Sequence, residues 1–169
     1  ERCLEAAVRR AAGRRAFGKP LLAHGATQRD IAQSAMDLQA ARAMVMHAAA
    51  VLDEEAAALA ERAASGDAAA TVLGGAALSA RGRAAVSGIK VFVPRVALAV
   101  MDRAIQVHGG AGVEGRGLLA RAYAGMRCLR IADGPDDVHE RTLAGLEARR
   151  VLGSAGAREA VTGRRPAKL

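Results

Sequence analysis

The chain has 169 residues, long enough for one domain with a sizeable core, and 51% of them are apolar but only 2% aromatic. Phe17, Phe92 and Tyr123 are the only rings of that kind, so the core must be built from Ala, Leu, Val, Ile and Met, which favours packed helices over a β-sandwich. The net charge of +8 would suit a polyanion, but arginine is used almost to the exclusion of lysine throughout, and rings to stack on bases are nearly absent. Nucleic-acid binding is therefore not expected.

Residues 1–13 carry Leu4, Val8 and Ala11 at helical spacing, with Gly13 as a break. A loop from Arg14 to Pro20 follows, closed by the proline, which pushes the residue before it out of the α region. Thr27-Gln28-Arg29-Asp30 has the form of a capping box. Beyond it Ile31, Ala35, Leu38, Arg42, Val45, Ala49 and Leu52 step by threes and fours, predicting the inner face of a long helix to about residue 64. Ser65-Gly66-Asp67 reads as its end. The glycines of 66–88 read as a Gly/Ala-rich insertion with at most one short helix. A second long helix is expected over about 86–108, its inner stripe formed by Ile89, Val93, Val96, Val100, Ala104 and Val107 and a bend expected at Pro94. His108-Gly109-Gly110-Ala111-Gly112 then stops it. A shorter helix is expected over 118–130 (Leu118, Leu119, Ala122, Met126, Leu129). A last one, from Pro135 to about 151, would keep Val138, Leu143, Leu146 and Val151 inside, with Asp136 and Asp137 at its positive end. From Gly153 onward a flexible basic tail is expected. These elements amount to an all-α, up-and-down four-helix bundle over residues 1–152.

Three loops could carry chemistry, and each also has a structural reading. Arg14 to Pro20 could present guanidinium donors to a phosphate, or be a solvated basic turn. Gln106 to Gly112 could offer backbone N–H groups to a pyrophosphate, or be a glycine C-cap with a structural His108. Ile131 to His139 places Asp133 just before a helix, as a cap or as a general base. Cys3 and Cys128 fit no metal or redox spacing and read as reduced thiols of a cytoplasmic protein. No metal site is expected, and no apolar run approaches the roughly 20 residues of a membrane span. Glu1-Arg2-Cys3 is no signal peptide, and the missing initiator Met suggests a start inside a longer polypeptide or a processed chain.

In this order and with these helices between them, the three loops resemble those of the acyl-CoA dehydrogenases. The C-terminal domain of that family opens with Arg-x-x-Phe-Gly, matched by Arg14 through Gly18. It continues with a helix holding an Ala-Arg pair, as at Ala41-Arg42. A helix ending Ala-x-Gln-x-x-Gly-Gly-x-Gly follows, matched by Ala104 through Gly112. Where most members have Glu-Gly-Thr, this chain has Asp133-Gly134-Pro135, within a run from Leu129 to His139 that is similar to a subgroup using Asp for Glu. The resemblance covers residues 1–152 except between Asp53 and Ile89, where this chain is longer.

The resemblance implies an FAD-dependent oxidation of an acyl-CoA thioester to its trans-2-enoyl form, with Asp133 as the base that removes the α-proton. It implies FAD contacts, to a cofactor held by a neighbouring subunit, from Arg14, Gln106, Val107, His108, Gly109 and Gly110, and further contacts near FAD from Pro135 and Asp137. A homodimer or homotetramer is implied, as are an electron-transfer-flavoprotein-like acceptor and an N-terminal helical and a middle β-domain that this sequence lacks. The family's second FAD-contacting Gln is Gly25 here, and Pro135 replaces a Thr hydroxyl. These departures leave an alternative open, a non-catalytic helical oligomerisation module derived from the same family.

Overall fold

The computed structural model describes residues 1–66 and 78–162. Residues 67–77, within the expected insertion, and 163–169, within the expected tail, lie outside the described residues. The described chain is all-α, as the composition predicts. Its helices are α1 (Arg2–Gly13), α2 (Gly25–Ala64), α3 (Ala80–His108), α4 (Leu118–Cys128) and α5 (Asp136–Thr162). A two-stranded hairpin, β1 (Arg15–Ala16) with β2 (Lys19–Pro20), and a 3-10 turn (Leu21–Ala23) connect α1 to α2. A second 3-10 turn, Gly109–Gly112, follows α3.

Three helix boundaries differ from the sequence expectation. Helix α2 begins at Gly25, ahead of Thr27, and the Gln28 N–H already donates to the His24 carbonyl at 3.1 Å. The capping-box residues therefore lie inside its first turns. Helix α3 begins at Ala80 because Ser79 caps it: its hydroxyl accepts from the Arg81 and Gly82 N–H groups at 3.0 and 3.1 Å. Glu55 in turn accepts from the Ser79 N–H at 3.1 Å and from its hydroxyl. Helix α5 does not stop near 151 but continues to Thr162 across a kink at Gly153 (φ 72°, ψ 171°), so the expected tail opens with helix.

The expectation about membrane-length segments also needs correction. Helix α3 runs through Pro94, and the stretch Ala80–Gly112 is long and apolar enough to cross a membrane by length and composition. Arg81, Arg83, Lys90, Arg95, Asp102 and Arg103 divide it into short apolar runs, which is why scanning for continuous runs missed it. Val96, Val100 and Ala104 are buried as the stripe of a core helix would be.

The described residues fall into two compact units. The first comprises residues 1–44 and 92–133. Within it Cys3 and Ala7 of α1 meet Ala104 of α3 and Leu119 of α4, with Met101, Ile105, Val107 and Ala122 around them. Ala41 of α2 packs with Val96 and Val100 of α3, flanked by Leu4, Leu38 and Val93. The inner stripe of α3 is thus as the periodicity predicts, whereas that of α2 is turned by about one residue. Ser34 and Ala41 are buried, as are Ala48 and Val51 beyond this unit, while Arg42 and Val45 are exposed. Small side chains occupy these buried positions, and the apolarity scan gave them too little weight against Val and Leu.

The second unit comprises residues 45–91 and 134 onward. Here the first turns of α3 face α5: Ala80, Arg81 and Ala84 line one side of a groove and Leu143, Ala144, Leu146, Glu147 and Arg150 the other. Val138 and Val151, expected inside, are 54% and 62% exposed.

Candidate functional site

Helix α1 ends where Gly13 gives way to Arg14, whose backbone is already extended and whose carbonyl accepts from the Leu21 N–H at 2.8 Å. That bond folds the hairpin back, and Arg15 pairs with Pro20 and Ala16 with Lys19. The tip is Phe17-Gly18, both left-handed (φ 51° and 81°), which is the two-residue turn that matches strand twist. Gly18 takes this conformation freely, but Phe17 is strained by it, at about 1 kcal/mol or more. Its ring is 95% exposed and meets His24 edge-on, with centroids 6.1 Å apart. The Arg15 guanidinium donates to the Gly18 carbonyl at 2.7 Å and tightens the tip.

Helix α3 ends in the same unit. Val107 is half-buried against the Cys3–Ala7 cluster, while Gln106 is exposed. The His108 ring bonds the Ala104 carbonyl at 2.8 Å through Nδ1, which must therefore carry the proton and leaves Nε2 as the acceptor of the neutral ring. Gly109 is left-handed (φ 64°), as a helix stop requires. Gly112 is buried for another reason: a Cβ there would stand 2.6 Å from the Ile105 carbonyl oxygen. Gly110 has neither constraint, with open space where a side chain would be. The fold does not need glycine at that position.

These two ends converge. Arg14 and His108 line one open basin of about 630 Å³, together with Ala6, Arg9, Arg10 and Gly13. No carboxylate is among the six lining residues, so three guanidinium groups set its potential. Arg10 Nε is shielded from solvent and meets no hydrogen-bond acceptor among the described residues. A buried donor left in that state costs about 1–3 kcal/mol. Sequence reasoning missed Arg9 and Arg10 by starting its basic loop at Arg14. The pair Arg9-Arg10, at the end of α1 and about four residues before that loop, was the available signal.

The third loop is built separately. After α4 the Ile131 and Ala132 N–H groups both donate to the Cys128 carbonyl at 2.9 Å. Asp133 follows, exposed and left-handed (φ 54°), a conformation that Asp tolerates better than most residues. It is not among the residues lining the basin. In the second unit, Gly134 (φ 100°) packs so closely on His139 that a Cβ would stand 3.0 Å from Nε2. Lys90 Nζ donates to the Gly134 carbonyl at 3.0 Å, and His139 Nδ1 lies 3.4 Å from the buried Ser87 hydroxyl. Pro135 and Asp137 are exposed where α5 starts, whereas Asp136 is buried. Lys90, Ser87 and His139 were not singled out from sequence. Their spacing of three residues on α3 (87 and 90) is common, and it acquires meaning only opposite Gly134.

Comparison with known proteins identifies the family. The C-terminal domain model of the acyl-CoA dehydrogenases matches residues 1–146. FadE2 of Mycobacterium tuberculosis, assigned as an acyl-CoA dehydrogenase, is 39% identical over 150 residues, which cover 89% of this chain and 31% of FadE2. IBR3 of Arabidopsis thaliana, with the same assignment, is 37% identical over 150 residues, 89% of this chain and 16% of IBR3. A solved structure from Mycobacterium abscessus, assigned to the same enzymes, superposes with a TM-score of 0.69 at 37% identity, over 88% of this chain and 31% of that one. The chain therefore spans a third or less of the length of each of these relatives. It belongs to the acyl-CoA dehydrogenase family, of which it carries the C-terminal helical domain.

Proposed function

We propose that this chain is the C-terminal part of an FAD-dependent acyl-CoA dehydrogenase that converts an acyl-CoA thioester to its trans-2-enoyl form. The observation that supports it most is the shared basin of Arg14 and His108, with the open backbone of Gly109 and Gly110 following directly. The residues present fit a flavin dinucleotide. Arg14 supplies a planar donor fork for a phosphate, His108 Nε2 an acceptor, and Gly109–Gly110 a backbone without a side chain in the way. Gln106 and Val107 precede them on α3, and Pro135 and Asp137 open α5 on the far side of the Asp133 turn. When bound, the flavin supplies the acceptor for the β-hydrogen.

In this reading Asp133 takes the α-proton. The proton is acidic only while the thioester carbonyl is polarised, and a carboxylate removes it best when shielded from water. Asp133 is exposed in this chain, so its desolvation would be completed by the N-terminal helical and middle β-domains and by a neighbouring subunit of a homodimer or homotetramer. An electron-transfer-flavoprotein-like acceptor would then reoxidise the cofactor. We place the protein in the cytoplasm, in keeping with its two free cysteines.

The exposure of Asp133 and the presence of Gly25 and Pro135 also support a second reading, a helical oligomerisation module without catalysis. One variant separates the two. In a polypeptide completed by the missing domains, Asp133→Asn should remove nearly all acyl-CoA-dependent reduction of an artificial electron acceptor. Undiminished reduction would overturn the base assignment and leave the module. Turnover by the purified 169-residue chain alone would contradict the requirement for the other domains.

A further inference from the structure

We propose that Lys90 is a positioning residue for Asp133, acting through the backbone of Gly134. The proposal rests on the reading of Asp133 as the base. Three observations support it. The Lys90 ammonium donates to the Gly134 carbonyl at 3.0 Å. Gly134 also abuts His139, so closely that a Cβ would stand 3.0 Å from Nε2, and Nδ1 of the same ring lies 3.4 Å from the buried Ser87 hydroxyl. Ser87 and Lys90 are neighbours on one face of α3, so that face braces Gly134 directly and, through His139, by packing. Finally, Asp133 and Gly134 are both left-handed, at φ 54° and 100°.

One peptide bond joins Gly134 to Asp133, and glycine has the softest backbone of any residue. Left unheld, Gly134 would let that peptide rotate and Asp133 relax out of a conformation that is unfavourable for a residue with a Cβ. With the Gly134 carbonyl fixed by Lys90 and its Cα against His139, little freedom is left in either torsion. Pro135, next along, has its φ set by its ring. The Cα–Cβ bond of Asp133 then keeps one direction relative to the turn. For a general base that direction decides the rate, since a displacement of about 1 Å can cost about 100-fold. The competing explanation is that Lys90 merely satisfies a carbonyl. Water would do so at a turn flanked by the exposed Asp133 and Pro135, whereas ordering a half-buried lysine costs side-chain entropy. Backbone strain persists where its surroundings over-determine it, and it gathers at working sites.

The test has two arms with the same variants. In the 169-residue chain, nitrogen-15 relaxation should give the Asp133 and Gly134 amides order parameters of about 0.85, the value of rigid backbone. Lys90→Met should lower both below about 0.6 while the amides of α3 and α5 stay rigid. Lys90→Arg, which keeps a charged donor, should restore most of the order. Lys90→Gln replaces Lys90→Met should that variant fold poorly. Mobile wild-type amides, or no change on removing the ammonium, overturn the proposal. In a polypeptide completed by the N-terminal helical and middle β-domains, Lys90→Met should lower kcat by about 10- to 100-fold. KM for the acyl-CoA should stay within about twofold, as for loss of an effect confined to the transition state. The primary isotope effect of an α-deuterated substrate should grow, and Lys90→Arg should recover most of kcat. Full kcat with a loosened turn overturns the proposal and leaves the base reading intact. Full turnover by Asp133→Asn removes the base reading, and this proposal with it, even where Lys90 orders the turn.

Discussion

Arg103 of α3 reaches Asp37 of α2 with an Nη1–Oδ2 distance of 2.7 Å, and the same nitrogen lies 3.3 Å from the Ser34 hydroxyl. Both side chains are only about a quarter exposed (27% and 23%), so the pair joins two helices of the first unit at a partly desolvated point. The Arg103 guanidinium, helped by the Gln33 amide at 2.7 Å, holds the Asp37 carboxyl below the usual carboxylate range. The native state therefore binds that proton less readily than the unfolded chain. Its contribution to stability is present above the unfolded value of about 3.9 and is lost as pH falls toward the lowered native value. Arg103→Met should cost about 1–2 kcal/mol near pH 7. The deficit should shrink below pH 4, and Asp37→Asn should flatten the acid side of the stability curve. Urea unfolding between pH 2 and 7 measures all three.

The glycines after α3 should separate by role. Gly109→Ala forces a side chain into a left-handed position and should cost about 1 kcal/mol. Gly112→Ala must displace the Ile105 carbonyl and should cost more, about 2 kcal/mol or above. Gly110→Ala should leave the melting temperature within error, or raise it slightly, while weakening flavin binding. Equal thermal losses in all three variants would contradict this division.

At the hairpin tip, Phe17→Asn should stabilise the isolated chain by about 0.5–1 kcal/mol, because Asn-Gly is a favoured pair for a turn with two left-handed residues. The exposed ring contributes little packing to offset the strain. A lower melting temperature for Phe17→Asn would mean that the contact with His24 matters more than the backbone conformation.

The two thiols should react at very different rates. Burial pushes the Cys3 thiol up from its ordinary value, whereas Cys128 is exposed on α4. At pH 8 a disulfide reagent should label one thiol per chain quickly, and the second only on unfolding. Fast labelling of both would indicate that the Cys3–Ala7–Ala104–Leu119 cluster opens readily.

Much of this was legible in the sequence. Helix identities, the inner stripe of α3 and the family follow from periodicity and from three ordered motifs. The inner face of α2 was misread by about one position because its contacts are made by Ser34, Ala41 and Ala48, residues that a scan for large apolar side chains passes over. The start of α3 was missed because Ser79 caps it only with help from Glu55, a partner 24 residues away. In the site, Arg14 and His108 were picked out by motif, while Arg10 was not, because its place in the basin depends on packing that periodicity does not reveal.

The alanines at the seams, Ala7, Ala11, Ala41, Ala48, Ala104 and Ala157, are each no more than 6% exposed. Their side chains are single methyl groups, so shaving them to glycine leaves little empty volume, whereas enlarging them wedges the helices apart. Mutational tolerance along these lines is therefore one-sided. A library randomised there should return survivors confined to Gly, Ala, Ser and Cys, whatever happens to the cofactor.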